Sequence, residues 1–274
     1  MENHILSIGG GNMGRAIIGG LIAKGYPREQ LAVVEPSDQA RGIITEQCNV
    51  AVTAECHAIR DTEIVLLAVK PQVMQDVVTR LAPFIKDKRP LFISIAAGIT
   101  TQQISRWLGA PVPIVRVMPN TPSLVGRGAA ALFATAQTNE QEKTAAESIM
   151  AAVGLAEWVD DEALLDVVTA LSGSGPAYFF LFMELIEDIA VELGLDRSVA
   201  RKLAVETALG SAELARNSPH PPAELRQQVT SPGGTTQRAL EILNGGDITN
   251  LMRKALRGAH ARSIELAAAA DEQS

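Results

Sequence analysis

The chain has 274 residues, 47% of them hydrophobic and 20% charged, with a formal net charge of −7 at pH 7. That length allows one large or two ordinary domains and a core that needs no staples. The acidic balance offers no basic footprint for nucleic acid or an anionic membrane, so an anionic substrate must be caught by local donors.

Ile5–Gly9 reads as a buried strand, followed by a helix over about Met13–Lys24. Leu31–Glu35, Val50–Thr53, Ile64–Val69, Leu91–Ile95 and Ile114–Met118 read as further strands, with helical stretches at Asp38–Gln47, Gln72–Leu81 and Thr101–Leu108 between them. Short runs of Ile, Val and Leu suit strands covered on both faces. Their alternation with helices predicts an α/β Rossmann-type domain, a parallel sheet wound with helices. Ala129–Phe133 reads as an added strand and Glu140–Ala152 as an added helix.

Past Trp158–Val159 no further strand is legible. Asp161–Leu171, Pro176–Leu193, Arg197–Arg216, Thr236–Asn244 and Ile248–Ala268 all read as helices. Asp160 or Asp161 suits the cap of the first. Pro176 suits the first turn of the second, and Gly194 its left-handed end. The expected division is a dinucleotide-binding domain over 1–160 and an all-α domain over 161–274, with a frayed tail from Ala267 to Ser274. The helix from Pro176 carries Tyr178, Phe179, Phe180, Phe182 and Met183 and is apolar nearly all round. A helical domain of ~110 residues has limited interior for it. Either one bundle buries it, or a second copy does; the homodimer is favoured, two-fold pairs being common.

Cys48 and Cys56 either pair or pack as reduced thiols, the second being usual in an intracellular chain. His4, His57, His220 and His260 match no metal-ligand spacing, and no metal is expected. The start of the chain lacks the basic flank and long apolar region of a signal peptide. Runs such as Ile64–Val69 and Pro176–Met183 fall short of a bilayer span. The expected location is the cytoplasm.

Gly9, Gly11 and Gly14 form a GxGxxG pattern between a strand and a helix, and Glu35 ends the next strand. This is the context that the dinucleotide fingerprint requires. Gly9 allows the tight turn, Gly11 the approach of a diphosphate, and Gly14 close packing of helix on strand. The helix N-terminus offers N–H donors to phosphate. Glu35 is placed to accept from an adenosine ribose and to oppose a 2′-phosphate, which leans toward NADH; Arg41 either offsets that charge or is a solvated surface group. Lys70-Pro71 leaves one strand end and Ala96-Ala97-Gly98 another, where a nicotinamide ring would border the crevice. The position alone equally suits an incidental surface lysine. Ser172-Gly173-Ser174-Gly175 and Ser231-Pro232-Gly233-Gly234-Thr235-Thr236 read as loops of small, hydrogen-bonding residues. The second suits either a carboxylate site on bare amides or a turn with Thr235 or Thr236 as an ordinary N-cap.

Longer motifs carry a resemblance. MPNTP at Met118–Pro122 after Arg116, LSGSGPAY at Leu171–Tyr178, TSPGGTT at Thr230–Thr236, SIAAG at Ser94–Gly98 and VKP at Val69–Pro71 are together similar to the pyrroline-5-carboxylate reductase family, over about residues 4–266. The resemblance implies NAD(P)H-dependent reduction of a cyclic imine to proline, and a helical domain that dimerises by interleaving, often within a decamer. It also implies cofactor contacts at Gly10, Asn12 and Met13 and, on the nicotinamide side, at Ala68, Val69, Lys70, Pro71, Ala96 and Ala97. Thr236 matches the hydroxyl beside the imine nitrogen. Ser231 and Thr235, with Gly233 and Gly234 between them, match substrate-carboxylate positions, and Glu162 matches a position near the substrate. Glu55, Glu35 and Gln228 depart from residues common among relatives, the first two at the cofactor.

The mechanism expected is hydride transfer to the imine carbon, with Thr236 orienting or relaying a proton to an iminium-like nitrogen. Two alternatives are reduction of another imine or a 3-hydroxy acid, and nucleotide binding without turnover. A hydroxy-acid enzyme of this shape needs a mid-domain lysine. Lys202, alone between Lys143 and Lys254, lacks a companion asparagine.

Overall fold

Four-residue runs of branched apolar side chains set the centre of the sheet: β1 (Ile5–Ile8), β2 (Leu31–Val34), β4 (Ile64–Leu67) and β5 (Leu91–Ser94). Nearly every side chain in them is buried, as strands covered on both faces require. The computed structural model describes residues 3–272 except 57–58, 60–61 and 86–87; His57 lies outside the described residues. With β3 (Ala51–Thr53), β6 (Ile114–Met118), β7 (Gly128–Ala134) and β8 (Gly154–Trp158) these strands form one eight-stranded sheet, ordered β3-β2-β1-β4-β5-β6-β7-β8. All neighbours are parallel except β6 and β7, which are antiparallel. The order reverses beside β1, where a doubly wound sheet opens a crevice at its carboxyl edge.

Alternate residues of each strand feed two cores. On one face, Ile17, Ile18 and Leu21 of α1 (Asn12–Ala23), Ile44 of α2 (Asp38–Cys48) and Ile149 of α5 (Glu140–Ala151) meet Ile5, Val33, Leu66, Ile93 and Val115. On the other, Met74 and Val78 of α3 (Pro71–Leu81) and Ile104 of α4 (Thr101–Leu108) meet Leu6, Val65, Leu67 and Phe92. Each such buried side chain contributes about 1.5–3 kcal/mol; Phe92→Ala, at a fully buried position, would cost about 3–5 kcal/mol. The cysteines are free: Cys48 is buried in the first core and Cys56 packs against the second.

Strand β8 was not anticipated. Its residues alternate between half-buried and exposed, because α5 covers one face of it and the other face is open. It pairs with β7 through Gly128 and Gly154, and a Cβ on Gly154 would lie 2.1 Å from the Gly128 carbonyl oxygen. A Cβ on Gly128 would instead run into Ser123 Oγ, so each glycine is required by a different contact.

The chain divides into two compact units, one ending at Ser174 and resuming at Ala259, the other Gly175–Gly258. The change of character near 160 thus falls inside the first unit. The reason is α6 (Leu164–Val168), which packs on β6 and β7 and buries Leu165. The end of α11 (Ile248–Glu272) also belongs there: Ser263 Oγ donates to Asp166 at 2.6 Å. The tail expected to fray is helical to Glu272.

Ser172–Gly175, read from sequence as a loop, is helical. A π turn (Thr169–Gly173) links α6 to α7 (Gly175–Glu192), and the helical run Leu164–Glu192 is unbroken. Within its 29 residues an 18-residue stretch reaches a mean hydropathy of 1.3, which meets a membrane span by length and composition alone. Pro176 sits in the first turn of α7, as expected, three residues after the end of the wide turn.

In the second unit α7 packs against α8 (Arg197–Asn217). Gly194 ends α7 with φ +102°, and Asp196 caps α8 by accepting from the Ser198 and Val199 N–H groups. Phe179 and Phe180 are 65% and 63% exposed in the single chain. A short α9 (Pro222–Gln228), not anticipated, starts just after Pro221, and Pro222 suits its first turn. The last segment wholly of this unit, α10 (Thr235–Gly245), precedes α11.

Candidate active site

The glycine turn is built as its spacing predicts. Gly9 adopts φ +102°, donates to the Val34 carbonyl at 2.8 Å, and would carry a Cβ 2.6 Å from the Ala68 carbonyl oxygen. A Cβ on Gly14 would lie 2.8 Å from the Gly9 carbonyl oxygen and 3.2 Å from Ala68 Cβ, so this glycine sets how closely α1 meets β4. At Gly11, the cap of α1, a Cβ would meet nothing within 4 Å. No side chain caps α1 and its first turn has no acid. By contrast α2, α4 and α5 are capped by Ser37, Thr100 and Asn139. The α1 amides thus face open space with a positive dipole end, which fits a diphosphate. Met13 leans on the core and Asn12 Oδ1 accepts from Arg15 at 2.7 Å, so both offer chiefly backbone.

Glu35 follows β2 and closes on this turn. Its carboxylate accepts from Gly10 N–H at 3.0 Å and from Ser37 N–H at 3.1 Å. Two bonds leave lone pairs for ribose hydroxyls. Arg41, a quarter exposed, is engaged: it donates to the carbonyls of Glu35 (2.9 Å) and Pro36 (2.8 Å) and pairs with Asp38.

Two further strand ends carry the nicotinamide-side residues. Ala68 N–H donates to the Ile8 carbonyl at 2.8 Å, and Val69 leads to Lys70, the exposed cap of α3, with Pro71 in its first turn. Ala96 is buried, Ala97 is exposed, and Gly98 turns with φ +74°. Ala97 is thus the exposed residue of this turn at the carboxyl edge, while Gly98 is buried with Leu266 and Ala267 of α11 beside it.

Glu162 is held by two residues distant in sequence. Its Oε1 accepts from Thr101 N–H at 2.8 Å and from Arg116 Nη1 at 3.0 Å, and its Oε2 accepts from Thr101 Oγ1 at 2.6 Å. Arg116 is 5% exposed. A charged residue inside the apolar strand Ile-Val-Arg-Val-Met demands a buried partner. That signal was available in the sequence, where Arg116 served only as a flank to a motif. Asn120 is the other residue missed: it is buried, its Nδ2 donates to the Ser172 carbonyl at 3.1 Å, and its Oδ1 accepts from Ala129 N–H at 2.9 Å.

In the second unit, the cap of α10 is Gly234, not Thr235 or Thr236, and it puts no side chain on the first-turn amides. Gly233 holds φ +70° and donates to Gln237 Oε1 at 2.7 Å; Gly234 N–H closes the turn on the Ser231 carbonyl at 3.0 Å. Ser231, Thr235 and Thr236 are exposed, and no acid lies in the first turn. Bare amides and three hydroxyls at an uncapped N-terminus suit a carboxylate.

Residues 162–266 match the family model for pyrroline-5-carboxylate reductase dimerisation, and residues 4–98 match a model described as NADP oxidoreductase, coenzyme F420-dependent. A pyrroline-5-carboxylate reductase of Pseudomonas aeruginosa is 45% identical over 265 residues, 96% of this chain and 97% of that one. The solved structure of a pyrroline-5-carboxylate reductase from Coxiella burnetii is 43% identical with a TM-score of 0.93, over 97% of this chain and 99% of that one. A Plasmodium falciparum pyrroline carboxylate reductase solved with NADP bound is 29% identical with a TM-score of 0.85, again over 97% and 99%.

Proposed function

We infer residue roles from one premise: this chain belongs to the pyrroline-5-carboxylate reductase family. It is an NAD(P)H-dependent oxidoreductase that reduces the C=N bond of 1-pyrroline-5-carboxylate to give proline, the last step of proline biosynthesis. The observation that carries the roles is that α1 and α10 begin without a side-chain cap or a first-turn acid and keep their first-turn amides, whereas α3, also uncapped and acid-free, loses an amide to Pro71. One suits a diphosphate and the other a carboxylate.

The cofactor's diphosphate rests on the amides of Gly10–Gly14, where Gly11 leaves room, with Asn12 and Met13 giving backbone. Glu35 accepts from the adenosine ribose. Its carboxylate is pinned by two N–H groups, and Arg41 is held on two carbonyls and Asp38. A 2′-phosphate brought there meets like charge with no free cation from Arg41, so NADH is the preferred cofactor. Ala68, Val69, Lys70, Pro71, Ala96 and Ala97 border the nicotinamide, which when bound supplies the hydride.

Ser231, Gly233, Gly234 and Thr235 hold the substrate carboxylate through hydroxyls and α10 amides, the local donors that a chain of net charge −7 needs. Thr236 hydrogen-bonds the imine nitrogen and orients the proton there. A threonine hydroxyl is a poor acid, so the substrate enters as its iminium form. Most of the acceleration comes from holding donor and acceptor carbons in near-attack geometry.

The exposed Phe179 and Phe180 on α7, in a segment matching a dimerisation model, support burial against a second copy; a decamer of such dimers is the proposed assembly, in the cytoplasm. Functionally, the first unit serves cofactor binding, and Gly175–Gly258, with α7 and the Ser231–Thr236 loop, serves substrate binding and dimerisation. The test is an absorbance assay of NADH and NADPH oxidation with the cyclic imine. Turnover with NADH at the higher kcat/KM is expected; nucleotide binding without imine-dependent oxidation would overturn the reading.

A further inference from the structure

The turn from Ile95 to Thr100 is fixed at both ends. At its start, Ile95 N–H donates to the Leu67 carbonyl at 3.2 Å, and Ser94 stands in register with Arg116 on the neighbouring strand. At its end, Thr100 and Gln103 form a capping box, with Gln103 Oε1 accepting from Thr100 N–H at 2.7 Å. The next residue, Thr101, is held by both oxygens of Glu162. Glu162 also takes the charge of Arg116, which otherwise lies buried and uncompensated.

A carboxylate has about four lone-pair sites, and three here already have short partners. A substrate carboxylate is repelled by Glu162, and a substrate cation must compete with Arg116. We propose that Glu162 is a positioning residue, which ties β6 to the start of α4 and thereby sets where the turn at Ala96 and Ala97 borders the nicotinamide. It acts through Thr101 and makes no contact with the imine. The proposal rests on the cofactor reading above for the location of the nicotinamide.

Thr101→Ser keeps both the N–H and the hydroxyl for Glu162; Thr101→Ala removes the hydroxyl; Glu162→Gln keeps the shape and removes the charge beside Arg116. For each full-length variant, the dissociation constant of the reduced cofactor is read from its fluorescence, alongside kcat, both KM values and Tm. Thr101→Ala and Glu162→Gln should weaken cofactor binding and lower kcat by about tenfold, with the imine KM within about twofold of wild type. Thr101→Ser should restore wild-type values. A raised imine KM with unchanged cofactor affinity would overturn the proposal, as would a Thr101→Ala variant identical to wild type. Should Glu162→Gln melt at the assay temperature, the two Thr101 variants decide the matter alone. A wild-type chain that binds the cofactor and leaves the imine unreduced breaks the reductase reading, while the fluorescence titration still tests the positioning role.

Discussion

The Asn120 side-chain amide donates at 3.1 Å to the carbonyl of Ser172. Pro176, four residues further on and without an N–H, cannot give that carbonyl its helical donor. The π turn and Asn120 together carry the helix past the proline. Two motifs that are far apart in sequence, MPNTP and LSGSGPAY, are thus two halves of one hydrogen bond.

Asn120→Ala should destabilise the fold by about 1–3 kcal/mol, since it leaves the Ser172 carbonyl and the Ala129 N–H short of partners. Asn120→Asp keeps the acceptor for Ala129 and sets a carboxylate against the Ser172 carbonyl, so it should be at least as harmful. Urea denaturation of both variants checks this. A midpoint at the wild-type value for Asn120→Asp would show that the donor is dispensable.

Gly9 and Gly11 should separate stability from binding. Gly9→Ala forces a side chain onto φ +102° and within 2.6 Å of a backbone oxygen, and about 1–3 kcal/mol of stability should go with it. Gly11→Val meets open space; its urea midpoint should match wild type while binding of NADH and NADPH is lost. Tight binding by the valine variant would displace the diphosphate from this turn.

Cofactor choice should turn on Glu35. Glu35→Ser removes the carboxylate that opposes a 2′-phosphate and should raise the ratio of NADPH to NADH kcat/KM by about tenfold, as for relief of one close like-charge contact. The Gly10 N–H loses its partner too, so NADH binding should weaken. An unchanged ratio would mean that Glu35 serves the turn and not the ribose.

Thr236→Ala should lower kcat/KM by about ten- to a hundredfold, the usual effect of losing one positioned polar group. The helix should survive, because Gly234 and not Thr236 is its cap. Steady-state kinetics at wild-type level would remove Thr236 from the mechanism.

Acid should loosen the α7–α8 pair. The Arg201 hydrogen bond, with help from Arg197, holds the Glu187 carboxyl below its ordinary value of 4.5. A folded pKa below the unfolded one means stability present in full above pH 4.5 and lost as pH falls through the folded value. Glu187→Gln should therefore lower the urea midpoint at pH 7 and flatten its decline under acid conditions. An acid decline as steep as wild type would show that Glu187 is not among the groups responsible.

Local pattern alone determined the strands β1, β2, β4, β5 and β6, the helices between them and the glycine turn, because buried parallel strands and phosphate-binding turns are written in short contiguous runs. The motifs of the helical half likewise named the family. What only the tertiary structure decided involves partners distant in sequence. Edge strand β8 needs β7 to exist, and Ser172–Gly175 is helical because Asn120 and the π turn compensate for Pro176. Arg41 is occupied by the turn it braces, and Glu162 is held by Thr101 and Arg116. A side chain's residue type announces which bonds it can make; which of its possible partners takes them depends on the packing that brings distant segments together.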